Sequence, residues 1–321
     1  TTYRLGLTTG TSPISLYAEL VKLYKSGIVS FRNVEIYSID EYYTAPSDHY
    51  SRNRRLYEDL VAKIDILPSN VHVPKLTEIH DSSYVSDFCS AYDAKARELD
   101  LLIMGCGEKG QIGFNENGAS EQSRTRTVLL PDQSRKRQAR NFAGDIAKTP
   151  NTAIAMGIST MMSAKQIILI AWGEDKARVV SQIVEGSIDP SCPATLLQKH
   201  SNISFYVDEN SASLLTRNVA PWLVGPCEWT PKFIRKAVVW LCEQVHKPIL
   251  KLTQGDYLSN GLGELLEQHG SFDKINIKVF NDLQHTISGW PGGKPDEDDS
   301  TRPVPSVPFP KKVVLFSPHP D

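Results

Sequence analysis

No apolar run in this sequence approaches the ~20 residues needed to span a bilayer, so no membrane partner is indicated. Cysteine is scarce: Cys89, Cys106, Cys192, Cys227 and Cys242 are odd in number, widely spaced and free of any C-x-x-C pair. They read as reduced thiols of a cytoplasmic protein rather than as a disulfide framework. Neither charge sign dominates, since 35 Lys and Arg face 37 Asp and Glu for a formal net charge of −2. That balance gives no electrostatic case for nucleic acid. Internal repeats are missing, and the turn at Thr8 to Pro13 is neither a Walker A loop nor G-x-G-x-x-G, so a nucleotide is not indicated there. His49, His72, His80, His200, His246, His269 and His285 show no metal-ligand spacing. What the chain has is length and core material. Its 321 residues, 40% of them hydrophobic, allow one large or two modest domains.

Tyr3-Arg4-Leu5-Gly6-Leu7 reads as a strand and runs into Thr8-Thr9-Gly10-Thr11-Ser12-Pro13. Ser12 suits an N-cap and Pro13 a first helical position. Ile14, Tyr17, Leu20, Val21 and Tyr24 then share a helical face that Gly27 ends. Free N–H groups and the positive helix end converge there, so Thr9, Gly10, Thr11 and Ser12 form a candidate site for a phosphate on a small molecule. An ordinary βα turn is the plain alternative. Val34 to Ile39 is the next strand and delivers Asp40-Glu41 to the same sheet edge. One of the pair could be a general base; otherwise both belong to a solvated turn. With helices over residues 53–63 and 86–98, the pattern is βαβα, which predicts a mostly parallel, doubly wound, Rossmann-like α/β sheet.

The central feature is Leu101 to Met104, a strand buried on both faces, followed by Gly105, Gly107, Gly110 and Gly113 in a loop that carries Glu108, Lys109, Gln111, Asn115 and Glu116. Loops at the carboxyl ends of parallel strands are where ligands bind, and glycine lets backbone approach them. A cationic stretch follows, with Arg124, Arg126, Arg135, Lys136, Arg137 and Arg140. One or two of these turned inward could clamp a phosphate. Gln166 to Trp172 is the strongest strand. It exits beside Lys176, a second candidate phosphate ligand ahead of a helix at Ala177 to Glu185. Ile203 to Val207 closes the sheet.

The character changes near Trp229. Residues 1–225 read as one domain and 226–288 as a helical or α-β extension, with helices at Phe233 to Val245 and Gly261 to His269 and a strand at Ile275 to Phe280. Residues 289–311 are a Pro/Gly-rich linker. Residues 312–321 read as a strand running into His319-Pro320-Asp321.

With these pieces in order, residues 3 to about 210 resemble the glucosamine-6-phosphate deaminase/isomerase family. The resemblance rests on Leu7 to Pro13, Ser30 to Val34, Ser38-Ile39-Asp40-Glu41-Tyr42, Gly105 to Glu116, Ser123-Arg124-Thr125-Arg126 and Val184-Glu185-Gly186. The related phosphogluconolactonases share the fold, but Ile39 to Tyr42 and Phe114-Asn115-Glu116 favour the deaminase branch. The resemblance implies that the Thr9-to-Ser12 turn, Arg140 and Lys176 hold a sugar phosphate. It implies that Asp40 moves a proton from C2 to C1 of an open-chain amino sugar, giving a ketose-type imine that loses ammonia. Glu116 would support the ring-opening group. No cofactor is implied for this domain.

Two departures bear on activity. Lys109 stands where the family has aspartate, and Gln111 where it has the histidine that opens the pyranose ring. Glutamine does not titrate, and general acid–base assistance typically contributes ~10²–10⁴-fold, so ring opening should be slow. Lys109 is expected either to pair with Glu116 or, partly desolvated, to take an acid/base role. Val128 replaces a lysine of the family's effector site, although Arg124 and Arg126 remain. The end of the chain resembles the opening motif of LmbE/PIG-L-type N-acetylglucosaminyl deacetylases. That family's zinc ligand and base would map onto His319 and Asp321, so zinc is expected only with a complete C-terminal domain. Two functions therefore stand at this level: an amino-sugar-phosphate deaminase/isomerase, homo-oligomeric or not, and a catalytically silent sugar-phosphate-binding module of a C-terminal deacetylase.

Overall fold

The computed structural model describes residues 2–10, 12–43, 50–76 and 78–285. The expected linker and the His319–Asp321 motif lie outside the described residues. Contacts divide the chain into two units at Asn218/Val219.

In the first unit a six-stranded parallel sheet has the order β4-β2-β1-β5-β8-β9, with β1 at Tyr3–Leu7, β2 at Val34–Ser38, β4 at Val71–His72, β5 at Leu101–Gly105, β8 at Ile167–Ala171 and β9 at Ile203–Val207. The apolar run of β5 splits between the two faces with the period of a strand. Leu102 and Met104 join one core with Tyr92 and Ala96, Leu169 and Val179, Val180 and Ile183, whereas Ile103 joins the other with Leu5, Leu7, Tyr17, Val21 and Leu56. Helices α1 (Ile14–Lys25) and α2 (Arg52–Asp59) therefore cover one face, and α3 (Ser82–Lys95) and α6 (Ala177–Glu185) the other. A sheet buried on both sides is what near-continuous Leu/Ile strands require.

A second, antiparallel sheet has the order β3-β7-β6, built from β3 (Asp40–Tyr42), β6 (Arg126–Leu129) and β7 (Thr152–Ala155). None of these three strands is expected from the sequence, because β3 has three residues, β6 and β7 four each, and β6 carries Arg126. Between them stand α4 (Asp132–Gln138), a 3₁₀ turn over Ala139–Phe142, and after β7 the short α5 (Ile158–Met162). Gly157, ahead of α5, packs against backbone: a Cβ there would lie 2.1 Å from Ser123 O and 2.4 Å from Arg124 Cα. Gly157→Ala is expected to destabilise the unit by about 3 kcal/mol, to be read as the urea midpoint of unfolding.

Two expectations are corrected here. Ser12 does not cap α1; the helix begins at Ile14 with Pro13 in the N-cap position and no side-chain cap bond. Ile275 to Phe280 is not a strand but lies inside a helix, Phe272–His285. Ile275 and Val279 stand one turn apart and are both buried, while Ile277 between them is exposed. The β-branched residues suggested a strand, but an apolar i, i+4 pair decides for a helix.

The second unit is helical over its described residues, with helices at Pro231–Val245, Gln254–Ser259, Gly263–His269 and Phe272–His285. Trp222, Trp229, Ile234, Val238, Leu241, Tyr257, Leu265, Ile275 and Val279 form its core. Thr253 and Asp256 make a capping box at the second helix. No helix among the described residues is long and apolar enough to cross a membrane.

Candidate active site

The six-stranded sheet changes winding direction between β1 and β5. Loops leaving those neighbours part to opposite faces, and open α/β sheets bind ligands in the crevice so formed. A cavity of about 370 Å³ lies there. Thr8, Thr9, Gly10 and Ser12 line it from the β1 loop, Gly105 to Glu108, Gln111, Gly113, Phe114 and Glu116 from the β5 loop, and Lys176 from the β8 exit. These loops are tied to one another. The Tyr17 hydroxyl donates to Thr8 O, Trp172 Nε1 donates to Ser12 O at 2.9 Å, and Lys176 Nζ donates to Cys106 O at 2.9 Å. Lys176 keeps two further ammonium protons for a ligand.

The chain is weakly acidic, but this cavity is cationic. Arg52, Arg54, Arg55, Arg137, Arg140 and Lys176 line it against Glu58, Glu108 and Glu116. A concave site with excess positive charge favours an anionic ligand. The expected phosphate ligands Thr9, Gly10, Ser12, Arg140 and Lys176 are thus brought together, with Arg140 exposed on the 3₁₀ turn after α4. Thr11 lies outside the described residues.

Asp40 and Glu41 are not in a solvated turn. Ile39 bridges the two sheets, its N–H bonded to Leu7 O and its carbonyl to Met156 N–H, and β3 starts directly after it. Both carboxylates are buried, at 0% and 1% exposure, and have opposite tasks. Glu41 is fully hydrogen-bonded, accepting from Tyr42 N, the Ser51 hydroxyl, Arg52 N and Asn53 N at 2.6–2.9 Å, so it anchors the start of α2. Asp40 has no hydrogen-bond donor on either oxygen. Among the described residues its ion-pair partner is Arg52, whose Nε lies 3.1 Å from Oδ1 but points its N–H at Thr9 Oγ1, 2.7 Å away. Burial pushes Asp40 up to about 6; Arg52 opposes that rise and Glu41 adds to it. A carboxylate poised near neutrality in a cleft is what a general base needs.

Asp40 does not itself line the cavity; it sits directly behind Gly113, Phe114 and Arg52, which do. Gly113 adopts φ +58°, and a Cβ there would stand 2.9 Å from Asp40 Oδ2. Any side chain at 113 would wall off the carboxylate. This explains one of the loop glycines.

The two departures in the central loop are now placed. Gln111 is buried and lines the cavity, and its Oε1 accepts from Lys109 N at 3.1 Å, leaving the Nε2 protons as donors. Lys109 is exposed and does not line the cavity, and its Nζ donates to Gln133 Oε1 at 3.0 Å. Both expectations for Lys109 are corrected: it makes no ion pair with Glu116, and it is not desolvated. The reason is direction, because the loop turns Lys109 outward while Gln111 turns inward. Glu116 faces the cavity and accepts from the Ser134 hydroxyl, which in turn accepts from Arg137 Nη2 at 2.9 Å. Arg126 reaches Asn115 Oδ1 at 3.0 Å, bracing the end of the same loop. Among the described residues no three His, Cys, Asp or Glu gather as a metal site.

Sequence reasoning missed Arg52, Arg54 and Arg55, whereas Arg137 and Arg140 are the members of the expected cationic stretch that line the cavity. The signal was present in Ser51-Arg52-Asn53-Arg54-Arg55, an N-cap followed by three cations in one turn and a half. What it lacked was the packing of α2 beside β3.

Comparisons with known proteins agree with this geometry. Residues 1–205 match the family described as glucosamine-6-phosphate isomerases/6-phosphogluconolactonase. A glucosamine-6-phosphate deaminase-like protein of Bacteroides thetaiotaomicron is 45% identical over 321 residues, covering 99% of this chain and 48% of that protein, so the chain spans about half of that relative's length. A glucosamine-6-phosphate deaminase of Beutenbergia cavernae is 40% identical over 215 residues, covering 66% of this chain and 81% of the relative. Among solved structures, a monomeric glucosamine-6-phosphate deaminase superposes with a TM-score of 0.62 at 34% identity, covering 66% of this chain and 88% of that one.

Proposed function

We propose, from the premise that the chain belongs to the glucosamine-6-phosphate isomerase/6-phosphogluconolactonase family, that it is an amino-sugar-phosphate deaminase/isomerase with slowed ring opening. The observation that supports this most is the pairing of a cationic cavity at the sheet's switch point with one buried carboxylate, Asp40, pushed up to about 6.

The substrate's phosphate dianion is held by the Thr9-to-Ser12 turn, Arg140 and Lys176. With the sugar open, ionised Asp40 takes the proton from C2 of the aldose, the electrons shift toward the C1 carbonyl, and its oxygen takes a proton from the substrate's C2 ammonium to give an enolamine. Protonated Asp40 returns the proton to C1, leaving an imine at C2. Water adds to the imine and ammonia leaves, giving the ketose phosphate. Ring opening is the weak step, because Gln111 can donate a hydrogen bond to the ring oxygen but cannot carry a proton. Glu116, at the end of the same loop, is a titratable group that also lines the cavity.

The test is ammonia release from glucosamine-6-phosphate by the wild type and by Lys109→Asp/Gln111→His. The wild type should be slow and the double variant faster by ~10²-fold or more, the scale of restored general acid–base assistance. If neither releases ammonia and calorimetry finds no binding of fructose-6-phosphate, this reading fails. The silent binding module is favoured instead if fructose-6-phosphate binds but the double variant gains no activity; the position of Gln111 in the cavity is the observation behind that alternative.

A further inference from the structure

Arg52 comes from a helix that no phosphate or catalytic role had singled out, yet it stands at the junction of the anion turn and Asp40. It is 15% exposed at its side chain and lines the cavity. Its single Nε–H faces two acceptors, Thr9 Oγ1 at 2.7 Å as a hydrogen bond and Asp40 Oδ1 at 3.1 Å as an ion pair. The guanidinium carbon lies 4.5 Å from the centre of the Phe114 ring, which fixes its plane from the other side. Upstream, Glu41 accepts from Arg52's own backbone N–H and so fixes where the side chain starts.

We infer that Arg52 is a positioning residue that couples the anion-binding turn to the carboxylate of Asp40. Two consequences follow from its geometry. Thr9 Oγ1 already accepts from Arg52, so its own proton is free to donate into the cavity, where a phosphate oxygen would receive it. Arg52 also supplies the charge that keeps Asp40 ionised against burial. The other groups acting on Asp40 do not supply it. Glu41 on β3 disfavours ionisation, while Tyr42 on β3, Tyr17 on α1 and Tyr92 on α3 are pushed above the usual phenol range by burial and stay neutral. Among the described residues, Arg52 is the one cation that favours the charged form of Asp40.

The rate arm of the test rests on the proposed function, but its main arm does not. The Asp40 carboxyl is followed by carbon NMR in protein labelled at aspartate, with Asp40→Asn used to assign the signal, in wild type, Arg52→Gln and Arg52→Lys. Removing the cation should raise the Asp40 midpoint so that protons bind about tenfold more tightly, the usual scale for losing an adjacent opposite charge. Arg52→Lys, which keeps the charge, should return the midpoint toward wild type. Calorimetry with inorganic phosphate should show several-fold weaker binding to Arg52→Gln, and the acid limb of kcat/KM for ammonia release should move with the NMR midpoint. An Asp40 midpoint that stays in place in folded Arg52→Gln overturns the inference; if that variant does not fold, a Lys variant with wild-type phosphate affinity and an Asp40 midpoint far above wild type overturns it instead. If the midpoint moves while no variant releases ammonia, the coupling stands and only deamination is lost.

Discussion

Asp40→Asn should release ammonia at least ~10²–10⁴-fold more slowly than wild type, with fructose-6-phosphate affinity little changed. The asparagine keeps the volume and position behind Gly113 but cannot accept the C2 proton. The same variant should be more stable, not less, at alkaline pH. Burial lifts Asp40 to about 6 in the folded protein, whereas an unfolded aspartate titrates at about 3.9. A raised folded value means that folding is favoured while Asp40 holds its proton. That contribution is complete below the unfolded value and is lost as pH rises through about 6. Above it, ionised Asp40 costs on the order of 3 kcal/mol, which a permanently neutral asparagine avoids. The pH profile has the opposite sign: kcat/KM should climb as pH passes through about 6, because only the carboxylate can act as base. Activity and stability are therefore traded at one atom pair. A variant that lost both together would show that Asp40 is a structural residue, and the base would have to be sought elsewhere.

Glu41→Ala should be the most damaging substitution of the first unit. Its carboxylate accepts from three backbone N–H groups and the Ser51 hydroxyl, all at the junction of β3 and α2. Hydrogen bonds to a charged acceptor contribute about 1.5–3 kcal/mol each, and donors left buried without a partner cost about 1–3 kcal/mol. Since these terms are not additive, the net loss should be on the order of 4 kcal/mol, and the melting temperature should fall by about 10 °C. Glu41→Gln should recover only part of this, because its amide presents donors to donors. Differential scanning calorimetry of the three proteins decides it. A fall of a degree or two in the alanine variant would mean that water takes over the four bonds. The prediction also separates neighbours: Asp40→Asn damages rate and spares stability, while Glu41→Ala damages stability first and rate only through the displaced Arg52.

Much of the fold was legible from local pattern. Leu101 to Met104 and Ile167 to Trp172 are apolar without interruption, which only strands covered on both faces require, and Gly186 ended the helix after Lys176 where expected. The two loops that line the cavity were legible too, since a strand leading into Thr8 to Ser12 and another leading into the glycine-rich loop are a candidate anion turn and a candidate ligand loop by composition. The antiparallel sheet was not. Arg126 to Leu129 and Thr152 to Ala155 are too short to carry a period, and the pairing of Thr152 to Ala155 with Asp40 to Tyr42 joins segments far apart in the chain, Asp40 facing Ala155 and Tyr42 facing Ala153. The helix at Phe272–His285 was misread because a β-branched cluster looks alike in both states until its buried side is known.

The sequence by itself determined the fold class and the family, because these depend on residue types at short spacing. Only the tertiary structure decided what each charged residue does. Adjacent Asp40 and Glu41 are indistinguishable along the chain; in space one is a bare carboxylate and the other a four-bond anchor. Lys109 and Gln111 are two residues apart, and the loop sends one to solvent and the other into the cavity. Proton affinity and reach are set by what surrounds a group in three dimensions, and that environment is assembled from segments the chain keeps far apart.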